Sequence, residues 1–216
     1  SSWIRDLAIS PDGSLLASCG HDCKVRLWQT ADGKLVHEFS DHEHDVYCVG
    51  FHPSGKYVVS GDERGKVKLL NVKSKTCERG FDASLLYTLH RLQDVGGVRA
   101  SAFDAEGNTL AVGGTKPKNG ATVQGVPTIL LFDFETGELK HTLELGATSA
   151  CFVHDIVLHK EGFVATVTSG TPGNGQLLFV RPGDEEPFYR YTKMANTHAI
   201  SFHPDGRGFK SPRTLL

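Results

Sequence analysis

The 216-residue chain contains no run of about 18 apolar residues, so no segment suits a membrane-spanning helix. It also lacks an excess of either charge: lysine and arginine number 23, aspartate and glutamate 25, and the formal net charge is −2. Proteins that grip nucleic acid or an anionic lipid surface carry a basic excess, so neither nucleic acid nor membrane is expected as a partner. Cysteine is scarce and odd in number: Cys19, Cys23, Cys48, Cys77 and Cys151, with no Cys-x-x-Cys pair. That excludes a disulfide framework. Three of the five lie in apolar, strand-like runs, where a reduced thiol acts as a small hydrophobe, and a reducing, cytoplasmic setting is expected. Ser1-Ser2-Trp3 opens the chain without a methionine or a charged-then-apolar leader, and Leu216 falls a few residues into a further repeat. A fragment of a longer protein is expected.

The usual signatures of catalysis are missing too. No Gly-x-Ser-x-Gly elbow exists to expose a serine. The glycine-rich stretch at 170–175 lacks the lysine and helix start of a phosphate loop and reads as a hairpin turn. Eleven histidines raise the question of a metal, but His42-Glu43-His44 does not have the i, i+4 spacing of a zinc-protease pair. Cys19-x-His21-x-Cys23 offers three soft ligands where zinc sites use four, and strand alternation turns Cys19 inward. Carboxylates are scattered, with no assignable acid pair. No catalytic residue, metal or cofactor is expected.

Glycine, by contrast, is plentiful, with 24 residues, and it recurs in register. Residues 7–18 and 48–60 each run as an apolar strand, a proline-containing turn closed by glycine, and a second apolar strand ending in serine. The turn returns as Asp104-Ala105-Glu106-Gly107, His159-Lys160-Glu161-Gly162 and His203-Pro204-Asp205-Gly206. Its starting positions 11, 53, 105, 160 and 204 lie 42, 52, 55 and 44 residues apart. Short strands repeating at about 40–45 residues mark the blades of a β-propeller. Lys24-Val25-Arg26-Leu27-Trp28 and Lys66-Val67-Lys68-Leu69-Leu70 alternate as half-buried third strands should. Later third strands, Ile129-Leu130-Leu131-Phe132 and Leu177-Leu178-Phe179-Val180, are apolar throughout, which suits a sheet packed on both faces. Only residues 83–92 hint at helical periodicity. The expected fold is all-β: four repeats of four antiparallel strands, over roughly 3–39, 40–81, 82–145 and 146–191, with the start of a fifth over 192–216.

The segment from Gly20 through His21-Asp22-Cys23-Lys24-Val25-Arg26-Leu27 to Trp28 resembles the second half of a WD (tryptophan–aspartate) repeat. Ser18, Asp22 and Trp28 match three members of that family's structural tetrad. The fourth, a histidine, would fall just ahead of Ser1. In the second repeat His42 and Ser60 match, while Arg64 and Leu70 stand at the aspartate and tryptophan positions. The naming dipeptide reads Trp28-Gln29, Leu70-Asn71, Phe132-Asp133 and Val180-Arg181, so the later blades are expected to rely on packing. The resemblance implies a non-catalytic platform for protein or peptide partners. It also implies missing blades, since the family usually closes with seven, about 280–320 residues at this period.

With strands lettered a to d in each blade, a–b and c–d turns fall on one face and b–c and d–a connections on the other. Two insertions lengthen the period, residues 81–97 as a d–a link and 115–127 as a b–c loop, and both lie on the second face. Rigid scaffolds place function on such loops, so that face is the candidate partner-binding surface. It carries Trp3, His21, Asp45 and Glu63. Lys116 and Lys118 on the second insertion read as a basic clamp for an acidic peptide or as a solvated loop. His90 and Arg91 lie on the first, whose leucines 85, 86, 89 and 92 suit a short amphipathic turn packing on the rim, with these apolar members in the core. Two further readings stay open: a recognition propeller attached to a protease or kinase outside this chain, and a propeller enzyme with a metal in its central channel.

Overall fold

A computed structural model describes residues 3–90, 92–118, 125–146, 152–169, 175–194, 197–202 and 209–210. They form four four-stranded antiparallel sheets, each with its strands in sequence order. Blade 1 comprises β1 (Ile4–Ile9), β2 (Leu15–Gly20), β3 (Val25–Gln29) and β4 (Leu35–Phe39). Blade 2 comprises β5 (Val46–Phe51), β6 (Tyr57–Asp62), β7 (Lys66–Asn71) and β8 (Thr76–Asp82). A 3-10 turn (Ser84–Leu86) and a hairpin of β9 (Tyr87–His90) and β10 (Gln93–Gly96) intervene. Blade 3 follows as β11 (Val98–Phe103), β12 (Thr109–Pro117), β13 (Gly125–Asp133) and β14 (Leu139–Glu144), and blade 4 as β15 (Phe152–Leu158), β16 (Val164–Ser169), β17 (Gly175–Val180) and β18 (Tyr189–Met194). A pair, β19 (Ser201–Phe202) and β20 (Phe209–Lys210), begins what comes next. The fold is a β-propeller of four complete blades.

The period-two alternation of a strand explains how the blades pack. Neighbouring residues of β6 point to opposite sides: Val58 enters the core shared with blade 1, and Val59 the core shared with blade 3. Leu70 and Leu69 of β7 divide in the same way. In β13, Leu130 and Phe132 face blade 2, while Ile129 and Leu131 face blade 4. Strands buried on both faces need apolar residues at every position, which is why the third strands lose their alternation in the sequence. The first strands of successive blades, β1, β5, β11 and β15, touch in turn and line the axis. The fourth strands lie outermost and are largely exposed, as in β14.

All four a–b turns close on a glycine with positive φ: Gly13 at 73°, Gly55 at 71°, Gly107 and Gly162 at 79°. This is the backbone region that a Cβ disfavours, and it is why glycine recurs in register. Two expectations need correction. The first insertion is not an amphipathic turn with its leucines in the core: only Leu86 is buried, whereas Leu85, Leu89 and Leu92 are exposed. The segment is a hairpin in which two-residue alternation turns one side to solvent, with His90 opposite Gln93 and Leu92 in the turn. The second insertion is not a loop from its start, because the β12–β13 ladder continues through Thr115↔Pro127, Lys116↔Val126 and Pro117↔Gly125.

Candidate partner-binding face and axial cavity

Antiparallel order in every blade puts the b–c and d–a connections on one side, and the residues singled out there fall into separate groups. Trp3 is 74% exposed, with the Arg5 guanidinium 5.5 Å from its ring. The imidazole of His21 meets the Asp45 carboxylate, which Arg5 also approaches at 3.8 Å. The backbone N–H of Glu63 donates to the carbonyl of Asp45 at 3.0 Å, and His44 lies 3.8 Å from the Glu63 carboxylate. Partial burial, with Asp45 and Asp94 nearby, raises the Glu63 carboxyl above its ordinary range. The Tyr87 hydroxyl (2.6 Å) and the Arg64 fork (3.0 and 3.3 Å) hold Asp94 below it. His90 lies on β9, half-buried. Lys116 pairs with Glu144 at 2.5 Å, and Lys118 is exposed. Arg91 lies outside the described residues.

Nearer the axis, the four first strands share one irregularity. The a–b ladder slips between Ile4 and Asp6, Val46 and Cys48, Val98 and Ala100, and Val153 and Asp155. The extra residues are Arg5, Tyr47, Arg99 and His154, and all four line a cavity of about 620 Å³. Asp6 and Asp155 also line it, and each already accepts two backbone N–H groups. Asp6 takes those of Leu7 (2.8 Å) and Val49 (3.0 Å); Asp155 takes those of Ile156 (2.8 Å) and Ile200 (2.9 Å). Through Val49 and Ile200 each carboxylate ties its blade to the next. Burial nevertheless pushes both carboxyls above the ordinary range. Burial also pushes His154 down to about 4, helped by His198 and Arg99, so its ring is neutral at pH 7. Among the described residues no three His, Cys, Asp or Glu side chains converge as metal ligands.

A buried polar chain stands beside this face in blade 2. His42 is bonded to Ser60 Oγ through Nε2 at 2.8 Å and to Asp62 Oδ2 through Nδ1 at 2.9 Å. In blade 1 the Trp28 indole donates to Ser18 Oγ at 2.8 Å, and Asp22 pairs with Arg26 at 2.8 Å. The family model described as "WD domain, G-beta repeat" matches residues 1–29 and 33–71, the two blades holding these bonds. The chain is a WD-repeat protein.

The rat protein named telomerase protein component 1 is 32% identical over 204 residues, covering 94% of this chain. Human striatin is 38% identical over 61 residues, 26% of this chain, and the Dictyostelium discoideum striatin homolog 29% over 75 residues, 33% of it. The chain spans 7–9% of the length of these relatives.

The WD-repeat pattern fades across the blades for a visible reason. The serine position becomes Val112 in blade 3, and the tryptophan position becomes Phe132, both buried in apolar clusters. In blade 4 Thr166 stands at the serine position and donates to the carbonyl of Asp155 at 2.8 Å. Two features escape a reading by family pattern. One is Asp62, two residues ahead of the aspartate slot, whose Oδ1 also accepts the N–H groups of Arg64 and Lys66, each at 2.9 Å. The other is the run of bulge residues. Their only sequence signal is an apolar residue followed by a cationic or aromatic one at the same slot of each first strand: Ile4-Arg5, Val46-Tyr47, Val98-Arg99 and Val153-His154.

Proposed function

We propose that this WD-repeat propeller is a non-catalytic scaffold that binds a protein or peptide on the face carrying the b–c and d–a connections. The observation that carries it is where unlike groups collect. That face gathers an exposed tryptophan, a cationic ladder end at Lys116 and Lys118, and a cavity lined by arginine and tyrosine, the residue types that dominate binding energy at interfaces. The opposite face presents turns of four or five residues, apart from the longer connection between β17 and β18. A relative aligned along nearly the whole chain is by name a component of a larger assembly, which fits a platform role. The four described cysteines are free thiols, in keeping with a reducing compartment such as the cytoplasm.

Further repeats of the same kind complete the propeller in this reading. Val46, Val49, Val58 and Leu70 of blade 2 are buried against blade 1. Their equivalents in blade 1 by strand register are Ile4, Leu7, Leu16 and Trp28, which line an open apolar groove with Ile4 67% and Leu7 53% exposed. A preceding blade is the occupant whose shape and chemistry the repeat itself specifies. The functional test is affinity capture from cells with the intact protein and with a Trp3→Ala/Lys116→Glu/Lys118→Glu variant. Loss of a wild-type partner with unchanged thermal unfolding supports the face; unchanged capture refutes it.

A further inference from the structure

We propose that the axial cavity is a carboxylate-binding site that takes an acidic side chain of a partner polypeptide, with Arg99 as its principal ligand. This rests on the partner-binding reading above and names the chemistry at its centre.

The four register slips are the first ground. A β-bulge leaves one residue unpaired and re-aims its side chain. Here the same slip occurs at the same place in four blades, and it delivers Arg5, Tyr47, Arg99 and His154 to a single cavity. The residues just before them, Val46, Val98 and Val153, are buried valines that pack the blades together. The bulge therefore separates a packing position from a presenting position within one strand.

The second ground is the state of Arg99. Its guanidinium lies 3.7 Å from the ring centre of Tyr47 and 5.4 Å from that of Phe152. Those contacts fix a planar fork in place by cation–π attraction. One amino group donates to the Gly96 carbonyl at 3.2 Å, while Nε is buried with no acceptor. A buried charged donor without an acceptor is destabilising, and a carboxylate is the ligand whose two oxygens match the fork. Arg5 stands on the same wall, 4.8 Å from the Tyr47 ring, with Asp45 3.8 Å away.

The lining also selects among anions. Asp6 and Asp155 are each engaged with the N–H of the next residue and with one from the following repeat, Val49 and Ile200, and no hydrogen bond joins either to Arg99. They set a limit on negative charge: a single carboxylate fits beside them, whereas a nucleic-acid backbone brings closely spaced phosphates against both. A volume of about 620 Å³ admits one or two side chains of an inserted segment.

The test uses the intact protein and fluorescence anisotropy of three labelled probes: a 12-residue peptide alternating glutamate and serine, its glutamine counterpart, and a 12-nucleotide single strand. The expected result is that the glutamate peptide binds at least tenfold more tightly than either of the others. Arg99→Gln removes that preference, Arg99→Lys restores part of it, and Lys34→Gln, an equal loss of charge on the opposite face, leaves it unchanged. In parallel, mass spectrometry follows phenylglyoxal modification of Arg99 in the wild type, which the glutamate peptide should slow. This keeps the proposal falsifiable if Arg99→Gln unfolds. Equal binding of the two peptides, tighter binding of the oligonucleotide, or unprotected Arg99 overturns the proposal. If rim substitutions abolish capture of a cellular partner while the peptides are not distinguished, the face stands and the cavity assignment falls. If the peptides are distinguished but capture is unaffected, the reverse holds.

Discussion

Asp62 holds His42 from a position two residues ahead of the one the WD pattern reserves for aspartate. The turn after β6 makes this possible: Oδ1 caps the N–H groups of Arg64 and Lys66 while Oδ2 reaches the imidazole. Burial opposes ionisation, but His42 and those N–H groups outweigh it and keep the carboxyl below its ordinary range. Stabilisation from a depressed carboxyl is present above its unfolded value and is lost as pH falls through the folded one. Asp62→Asn should therefore cost about 1.5–3 kcal/mol at pH 7. That difference should narrow below pH 4, as read from urea unfolding at both pH values. His154 has the opposite chemistry with a similar consequence. Its pKa lies near 4, so between its ordinary value and 4 the unfolded chain binds a proton that the folded chain refuses. Stability is full above that window and falls as the solution is acidified through it. His154→Gln should remove this part of the pH dependence of the urea midpoint. Asp6 and Asp155, whose carboxyls are raised, contribute a slope of opposite sign from about pH 3.8 upward.

The element-scale lesson is how closely one blade's first strand approaches the second strand of the blade before it. A Cβ on Gly61 would lie 2.4 Å from Val98 Cγ1, and one on Gly113 would lie 2.5 Å from Val153 Cγ1. The same nesting therefore occurs at two successive interfaces. Gly61→Val and Gly113→Val should each destabilise the protein by about 1–3 kcal/mol through overpacking. Chemical denaturation checks this, and adding Val98→Ala to Gly61→Ala should recover part of the loss. The β9–β10 hairpin is strained in a different way. Leu92 sits at φ 64° and is 93% exposed, so its side chain gains nothing for a conformation that costs about 1–2 kcal/mol. Leu92→Gly should slow amide hydrogen exchange in β9 and β10 and leave the blades unchanged.

At the scale of the molecule, the apolar face of blade 1 dominates. Ile4, Leu7, Ile9, Leu16 and Trp28 line a groove that is open here and filled at the equivalent interface of blade 2. Exposed patches of this kind drive association. The 216-residue chain taken alone should self-associate as concentration rises, and a Leu7→Glu/Ile9→Glu variant should remain monomeric, as measured by light scattering. A wild-type chain that stays monomeric at high concentration would count against a missing blade as the occupant.

The sequence alone determined the repeat, the four-stranded blade and the placing of turns, because these rest on local physics. Strand alternation has a period of two, and tight turns at fixed offsets require glycine at positive φ, as at Gly13, Gly55, Gly107 and Gly162. Ser18 and Trp28 were legible for the same reason, lying on paired strands that neighbour each other in the chain. Only the tertiary structure decided the rest. A bulge is a mismatch between two strands, so a single strand's residues do not show that Arg99 or His154 is the unpaired one. The contact between Arg99 and Tyr47 joins different blades, as does the Asp6 bond to Val49. Residues 83–92 hint at a helix because leucines 85, 86, 89 and 92 recur at three and four residues, but only Leu86 is buried, too little to hold a helix there. Register and blade-to-blade contact are properties of chains already assembled, and they are what built the axial cavity.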